Sequence, residues 1–190
     1  MTAKPRRALA NPAAFFASLR SITGGLDQKQ VNIVNAIMAS AAAWPVGWLA
    51  YALATTWHEA RFTPQREWGL GKGRPYAAPG KYGQPQYGRG LVQLTWDRNY
   101  EWADKALGLK GTLLKNFDLA LDPVLSVRIL IKGMEEGAFT GRSLSRYISD
   151  TGTHEQFVQA RRIINGTDRA DDIADIADKI QAALIRGGWA

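Results

Sequence analysis

The sequence predicts a mainly helical chain with one small hairpin, α+β only in that sense. Three observations carry this. Apolar residues recur with helical spacing behind recognisable cap residues over most of the chain. One long stretch, residues 62–90, has no periodicity at all. The 190 residues contain no cysteine, so the fold must rest on a packed core rather than on disulfides, and a chain of this length can bury one.

Taken in order, Asn11 followed by Pro12 reads as the cap and first turn of a helix with Phe15, Phe16 and Leu19 on one face. Asp27 and Gln30 have the spacing of a capping box, opening a helix with Val31, Val34, Ile37, Met38 and Ala41 on its apolar side. Pro45 starts another helix running to about Arg61. Residues 36–57 carry no formal charge, but the run is Ala-rich and centred on Pro45 and Gly47, so two buried core helices are expected there and no membrane span. Residues 62–90 hold seven glycines, four prolines and five aromatics. Such a segment inside a compact domain is characteristically a functional loop. Leu91–Leu94 reads as a short extended run. Thr95 is then expected to cap a helix from Trp96 to Leu107, stopped at Gly108. Asp122-Pro123 opens a helix through about Glu136, Thr153 with Gln156 another, and Asp168 to Ile185 the last, ended by Gly187-Gly188. There is no internal repeat and no linker, which predicts one domain over residues 1–190.

Net charge is +7, and the excess is concentrated: residues 1–100 hold 12 Lys/Arg against 4 Asp/Glu, and residues 101–190 hold 12 against 13. An electropositive face attracts polyanions without choosing among nucleic acid, anionic lipid and anionic wall polymer. No zinc-finger, RNA-recognition or helix-turn-helix pattern accompanies the charge, so no nucleic-acid partner is expected. Lys4, Arg6 and Arg7 before an apolar stretch look superficially like a secretory signal, but Asn11-Pro12 interrupts it. No signal peptide is recognised here, so synthesis in the cytoplasm is expected.

Of the four acids in the basic half, Asp27 is explained as a cap and Asp97 by the first turn of a helix. Glu59 and Glu67 are not explained in this way. Glu59 lies near the end of an apolar helix, after Trp57 and His58. Glu67 follows eight residues later, past the breaker Pro64, which would let the chain turn back. Two carboxyl groups about 6.5 to 9.5 Å apart are what inverting glycoside hydrolysis requires, although two glutamates at this spacing are also common on surfaces. The competing account of Glu67 is a loop anchor paired with Arg61, Arg66 or Arg89. Other patterns carry less. His58-Glu59 lacks the second histidine of a zinc-protease helix, Gly69–Gly73 lacks the strand and spacing of a phosphate loop, and the aspartates at 168, 171, 172, 175 and 178 have helical rather than calcium-loop spacing. No metal and no cofactor are therefore expected. Trp68, Tyr76, Tyr82 and Tyr87 suit either core packing or stacking on sugar rings.

Four segments carry a family resemblance: Trp48 to Glu59, ending Trp-His-Glu; Tyr87-Gly-Arg-Gly-Leu-Val-Gln-Leu-Thr-Trp to Tyr100; Asp118 to Pro123; and Ala160-Arg-Arg-Ile-Ile-Asn-Gly-Thr167. Together, and in this order, they resemble the phage-type endolysins of glycoside hydrolase family 19, relatives of the chitinases. The resemblance implies a lysozyme-like, two-lobed helical domain with a central substrate cleft that cleaves β-1,4 bonds without a cofactor. It implies Glu59 as general acid, Glu67 as base and Thr95 as a hydroxyl holding the attacking water. His58, Trp68, Tyr87, Gln93, Asn99 and Asn165 are the implied substrate contacts. Thr95 is equally a helix cap, Gln93 a backbone partner and Asn165 a helix end. The basic half, with no separate binding module, favours peptidoglycan over chitin as the polymer, acted on by a monomer after release. A chitinase, a lytic transglycosylase working with Glu59 alone, and a non-catalytic wall- or nucleic-acid-binding module are the alternatives.

Overall fold

The structure is a computed structural model describing residues 6–190; Lys4, of the basic N-terminal group, lies outside the described residues. The helices expected from caps form where the caps stand. Helix α1 (Pro12–Thr23) is capped by Asn11, whose side chain accepts from the Ala14 N–H. Helix α2 (Gln28–Ser40) opens on a complete Asp27/Gln30 capping box, and its buried face adds Ile33 to Val34, Ile37 and Met38. Helix α3 (Val46–Ala60) follows Pro45, which sits at the cap rather than inside the first turn. The Asn11 and Asp27 side chains satisfy amide donors that would otherwise be orphaned, worth about 1 kcal/mol apiece; Pro45 makes no such bond.

Helix α3 is the axis of the molecule. Leu49 to Thr56 are all buried, so this helix is enclosed on every side, which is why its sequence is apolar around its whole circumference. It packs chiefly on the long C-terminal helix α9 (Ala170–Arg186), which also receives α1 and α8 (His154–Ala160). On the other side α2 packs against α6 (Pro123–Glu136), which is capped by Asp122. One contiguous apolar cluster runs from Phe15 to Trp189 through all these helices.

The second wall of the molecule is built around the aperiodic segment. Strand β1 (Gln65–Arg66) pairs antiparallel with β2 (Arg89–Gly90), Arg66 opposite Arg89. Short 3-10 turns at Trp68–Gly71 and Pro75–Ala77 lie between them. Helix α4 (Asp97–Ala106), the one-turn α5 (Thr112–Lys115) and a 3-10 turn at Phe117–Leu121 complete this side. The one-turn α7 (Leu144–Tyr147) joins α6 to α8.

Two local expectations are corrected. Leu91–Leu94 is a turn, not an extended run; only Leu94 pairs, in an isolated bridge to Arg89. Thr95 does not cap α4. Trp96 occupies the cap position with φ 73°, and that left-handed residue turns the Thr95 hydroxyl away from the helix, to donate to the Gln93 carbonyl at 2.7 Å. The reversal after α3 is likewise made before Pro64, by Arg61 and Phe62 at φ 49° and 54°.

Candidate active site

Glu59 reaches its position because α3 stops one residue later. Residues other than glycine rarely adopt positive φ, and two in succession, Arg61 and Phe62, swing the chain from the helix into β1. Phe62 is wholly buried, and its packing holds this reversal. Glu67 then follows β1 directly. The result is a cleft of about 560 Å³ whose walls include both carboxylates.

Each carboxylate is fixed by a different device. Glu59 Oε1 accepts from Arg161 Nη1 at 2.6 Å. Arg161, from the turn after α8, is only 2% exposed, and its Nε donates to the Asp168 carbonyl at 2.8 Å. A buried guanidinium tied at its other end gives Glu59 one orientation. Glu67 accepts from the Tyr76 hydroxyl at 2.9 Å and from the Gly88 N–H at 3.1 Å. None of the three expected arginines pairs with it. Arg66 and Arg89 both bind Asp118, each at 2.7 Å, and Arg61 stacks over the Trp57 ring at 4.5 Å. The twin arginines hold the Asp118 carboxyl below the usual carboxylate range, Arg66 having the larger effect.

Tyr87-Gly-Arg-Gly is explained by this arrangement. The Arg89 guanidinium lies 3.8 Å from the centre of the Tyr87 ring and donates to the Pro85 and Tyr87 carbonyls and the Tyr100 hydroxyl. A side chain at Gly88 would meet the Gln93 amide at 2.9 Å and Thr95 Oγ1 at 3.3 Å; one at Gly90 (φ 81°) would meet the Ala120 carbonyl and Ser126 Oγ at 2.7 Å. Glycine is required at both positions for the strand to approach its neighbours.

The cleft brings together Glu59, Glu67, Gln93, Thr95, Asn99 and Asn165. Along one wall the Asn99 amide donates to the Thr95 carbonyl and the Thr95 hydroxyl to the Gln93 carbonyl. Gln93 spends its amide hydrogens on the Gln65 and Gly90 carbonyls. Three of the expected residues do not line it. His58 is half-buried outside this lining, and its burial lowers its pKa from the ordinary histidine value. Tyr87 is buried against Arg89. Trp68 stands in solvent, 98% exposed. Residues that the sequence did not single out also line the cleft: Trp96, Arg98, Phe139 and Thr140. Arg161 was missed too. It lies within the segment Ala160–Thr167 that carries the family resemblance, but its partner is 102 residues away, beyond any local spacing.

The described residues offer one potential three-ligand metal cluster, His154, Asp175 and Asp178, outside the cleft lining. It is already tied internally: His154 Nδ1 lies 2.7 Å from Asp178 Oδ2, and that carboxylate raises the histidine pKa.

No protein-family model and no curated protein matches the chain. Among solved structures, a bacterial family 19 chitinase is similar at 20% identity, over 92% of this chain and 94% of that one, with a TM-score of 0.53. Likeness at this level shows the fold: mainly helical and lysozyme-like, with a small antiparallel hairpin.

Proposed function

We propose that the chain is a glycoside hydrolase that cuts β-1,4 bonds of bacterial cell-wall peptidoglycan by inverting acid/base hydrolysis, in the manner of an endolysin. The observation that carries this reading is that Glu59 and Glu67, from the end of a core helix and the end of a hairpin strand, line one cleft. The basic surface of the first half suits an anionic wall.

In this mechanism Glu59 donates a proton to the leaving glycosidic oxygen. As the proton departs, negative charge appears on a carboxylate already facing Arg161, so the ion pair is strongest when the bond breaks. Stabilisation that grows toward the transition state is what raises the rate. Glu67, steadied by Tyr76 and the Gly88 amide, takes a proton from water on the opposite face of the sugar. Thr95 Oγ1 gives its hydrogen to the Gln93 carbonyl, leaving oxygen lone pairs to accept from that water. Asn99, Asn165 and Arg98 supply polar contacts along the cleft.

The second reading, a chitinase on N-acetylglucosamine polymers, is favoured by the likeness to a family 19 chitinase. Purified protein incubated with peptidoglycan and, separately, chitin oligomers separates the two by where new reducing ends form. The proposal expects peptidoglycan to be the better substrate and the first product to have inverted anomeric configuration. Retained configuration or anhydro-sugar ends would remove Glu67 as base.

A further inference from the structure

The loop that follows Glu67 leaves two large apolar side chains in water. Trp68 is 98% exposed and Leu70 50% exposed, and the Trp68 ring makes no aromatic or hydrogen-bonding contact among the described residues. The backbone that presents them is unusual: Gly69, Leu70 and Gly71 have φ of 72°, 52° and 69°. Glycine tolerates this; leucine does so at a cost, and conformations of this kind persist where they serve a function. The turn is nevertheless well made. Leu70 N–H donates to the Glu67 carbonyl, Lys72 N–H to Gly69 and Arg74 N–H to Gly71, while the Tyr76 ring packs against Gly71. A firm base therefore carries an apolar tip.

Past Glu67, the charge carried by the tip's own loop up to Trp96 is all basic. Lys72 and Arg74, two and four residues beyond Leu70, are exposed; Arg66 is matched by Asp118 and Arg61 lies over Trp57; and the one acid between residues 60 and 96 in the sequence is Glu67, turned toward Tyr76 and Gly88. An exposed tryptophan and leucine followed in the same loop by two exposed bases have the composition of a surface that settles into the headgroup region of an anionic bilayer. Stacking on a sugar fits less well. A stacking platform gains affinity from being held rigid by its neighbours, whereas this ring has none, and Leu70 has no place in such a platform. Insertion at an interface needs no rigid ring and uses both apolar groups.

We infer that the Trp68–Leu70 tip, with Lys72 and Arg74 beside it, is a peripheral docking site for anionic lipid. The inference is independent of the cleft's chemistry. No described helix is long and apolar enough to cross a membrane, and the tip requires none, since it only enters the interface.

The test is co-sedimentation of the full chain with phosphatidylglycerol/phosphatidylcholine vesicles, with phosphatidylcholine vesicles alone and with insoluble peptidoglycan. The expected result is partition onto the anionic vesicles that falls as salt rises. Trp68→Ser combined with Leu70→Ser should reduce it by about tenfold or more. Lys72→Glu with Arg74→Glu should reduce it and flatten the salt dependence. The difference in emission between the parent chain and Trp68→Phe should shift to the blue on vesicles. Absence of partition, or partition unaltered in the serine variant, would overturn the inference. So would loss of peptidoglycan retention by that variant with vesicle binding intact, which would assign the tip to sugar.

Discussion

Glu59 and Arg161 meet at 2.6 Å although 102 residues separate them. The cation is the more deeply buried partner and is anchored independently through the Asp168 carbonyl. The acid is thus positioned by a group that does not move with it. Replacing Glu59 by Gln keeps an oxygen for Arg161 Nη1 and removes the transferable proton. Hydrolysis should fall by about 10²- to 10⁴-fold or more, with the melting temperature shifted by only a few degrees; turnover close to the parent rate would remove Glu59 as acid.

Arg161→Lys tests the anchor. Lysine keeps the charge but cannot bond Glu59 and the Asp168 carbonyl in the same fork. The expected outcome is a loss of about 1–3 kcal/mol of stability together with a lower kcat and a smaller change in KM. A variant with stability lowered and kcat intact would make Arg161 purely structural.

Glu67 has two donors, and only one can be deleted by a side-chain change. Tyr76→Phe should lower kcat by about tenfold, the rate equivalent of one hydrogen bond of ~1.4 kcal/mol, while Glu67→Gln should lower it much further. Equal effects from both would place Tyr76 in the chemistry itself.

His154 gives a pH signature away from the cleft. Its pKa is raised, first by the Asp178 hydrogen bond and further by the charges of Asp178, Asp175 and Asp171. The stabilising contribution is therefore complete below the unfolded histidine value of about 6.5. It fades as pH rises through the higher folded value. The melting-temperature difference between the parent chain and His154→Gln should be largest near pH 5 to 6 and shrink above neutrality. A difference independent of pH would show that the contact is not ionic.

What could be read from the sequence was what is local. Asn11, Asp27 with Gln30, Asp122 and Thr153 with Gln156 announced four helices because a cap and its amide lie within three residues. Thr95 misled for the same reason: its spacing is right, but the positive φ of Trp96 reverses the geometry, and no sequence rule anticipates this for a tryptophan. Glu59 and Glu67 were legible as a pair of unexplained acids. The partners that hold them were not, since Arg161 arrives through the packing of α8 on α9 and Gly88 through a strand pairing across 22 residues of aperiodic loop. The one-turn helices α5 and α7 are too short to show a period.

The shared use of Asp118 by Arg66 and Arg89 has a thermal consequence. Strands of two residues cannot hold a hairpin by themselves, so this one depends on contacts outside its ladder: the Asp118 carboxylate, the Gln93 amide that bridges Gln65 and Gly90, and the Tyr87–Arg89–Tyr100 stack. The hairpin ends carry Glu67 and Gly88, and they are a candidate for the lowest-energy opening unit of the protein. Warming should then uncouple them from the helical core before the core melts. Activity would be lost reversibly several degrees below the calorimetric transition, with amide exchange at Glu67 and Gly88 outpacing that in α3, and Asp118→Asn would widen the gap between the two temperatures.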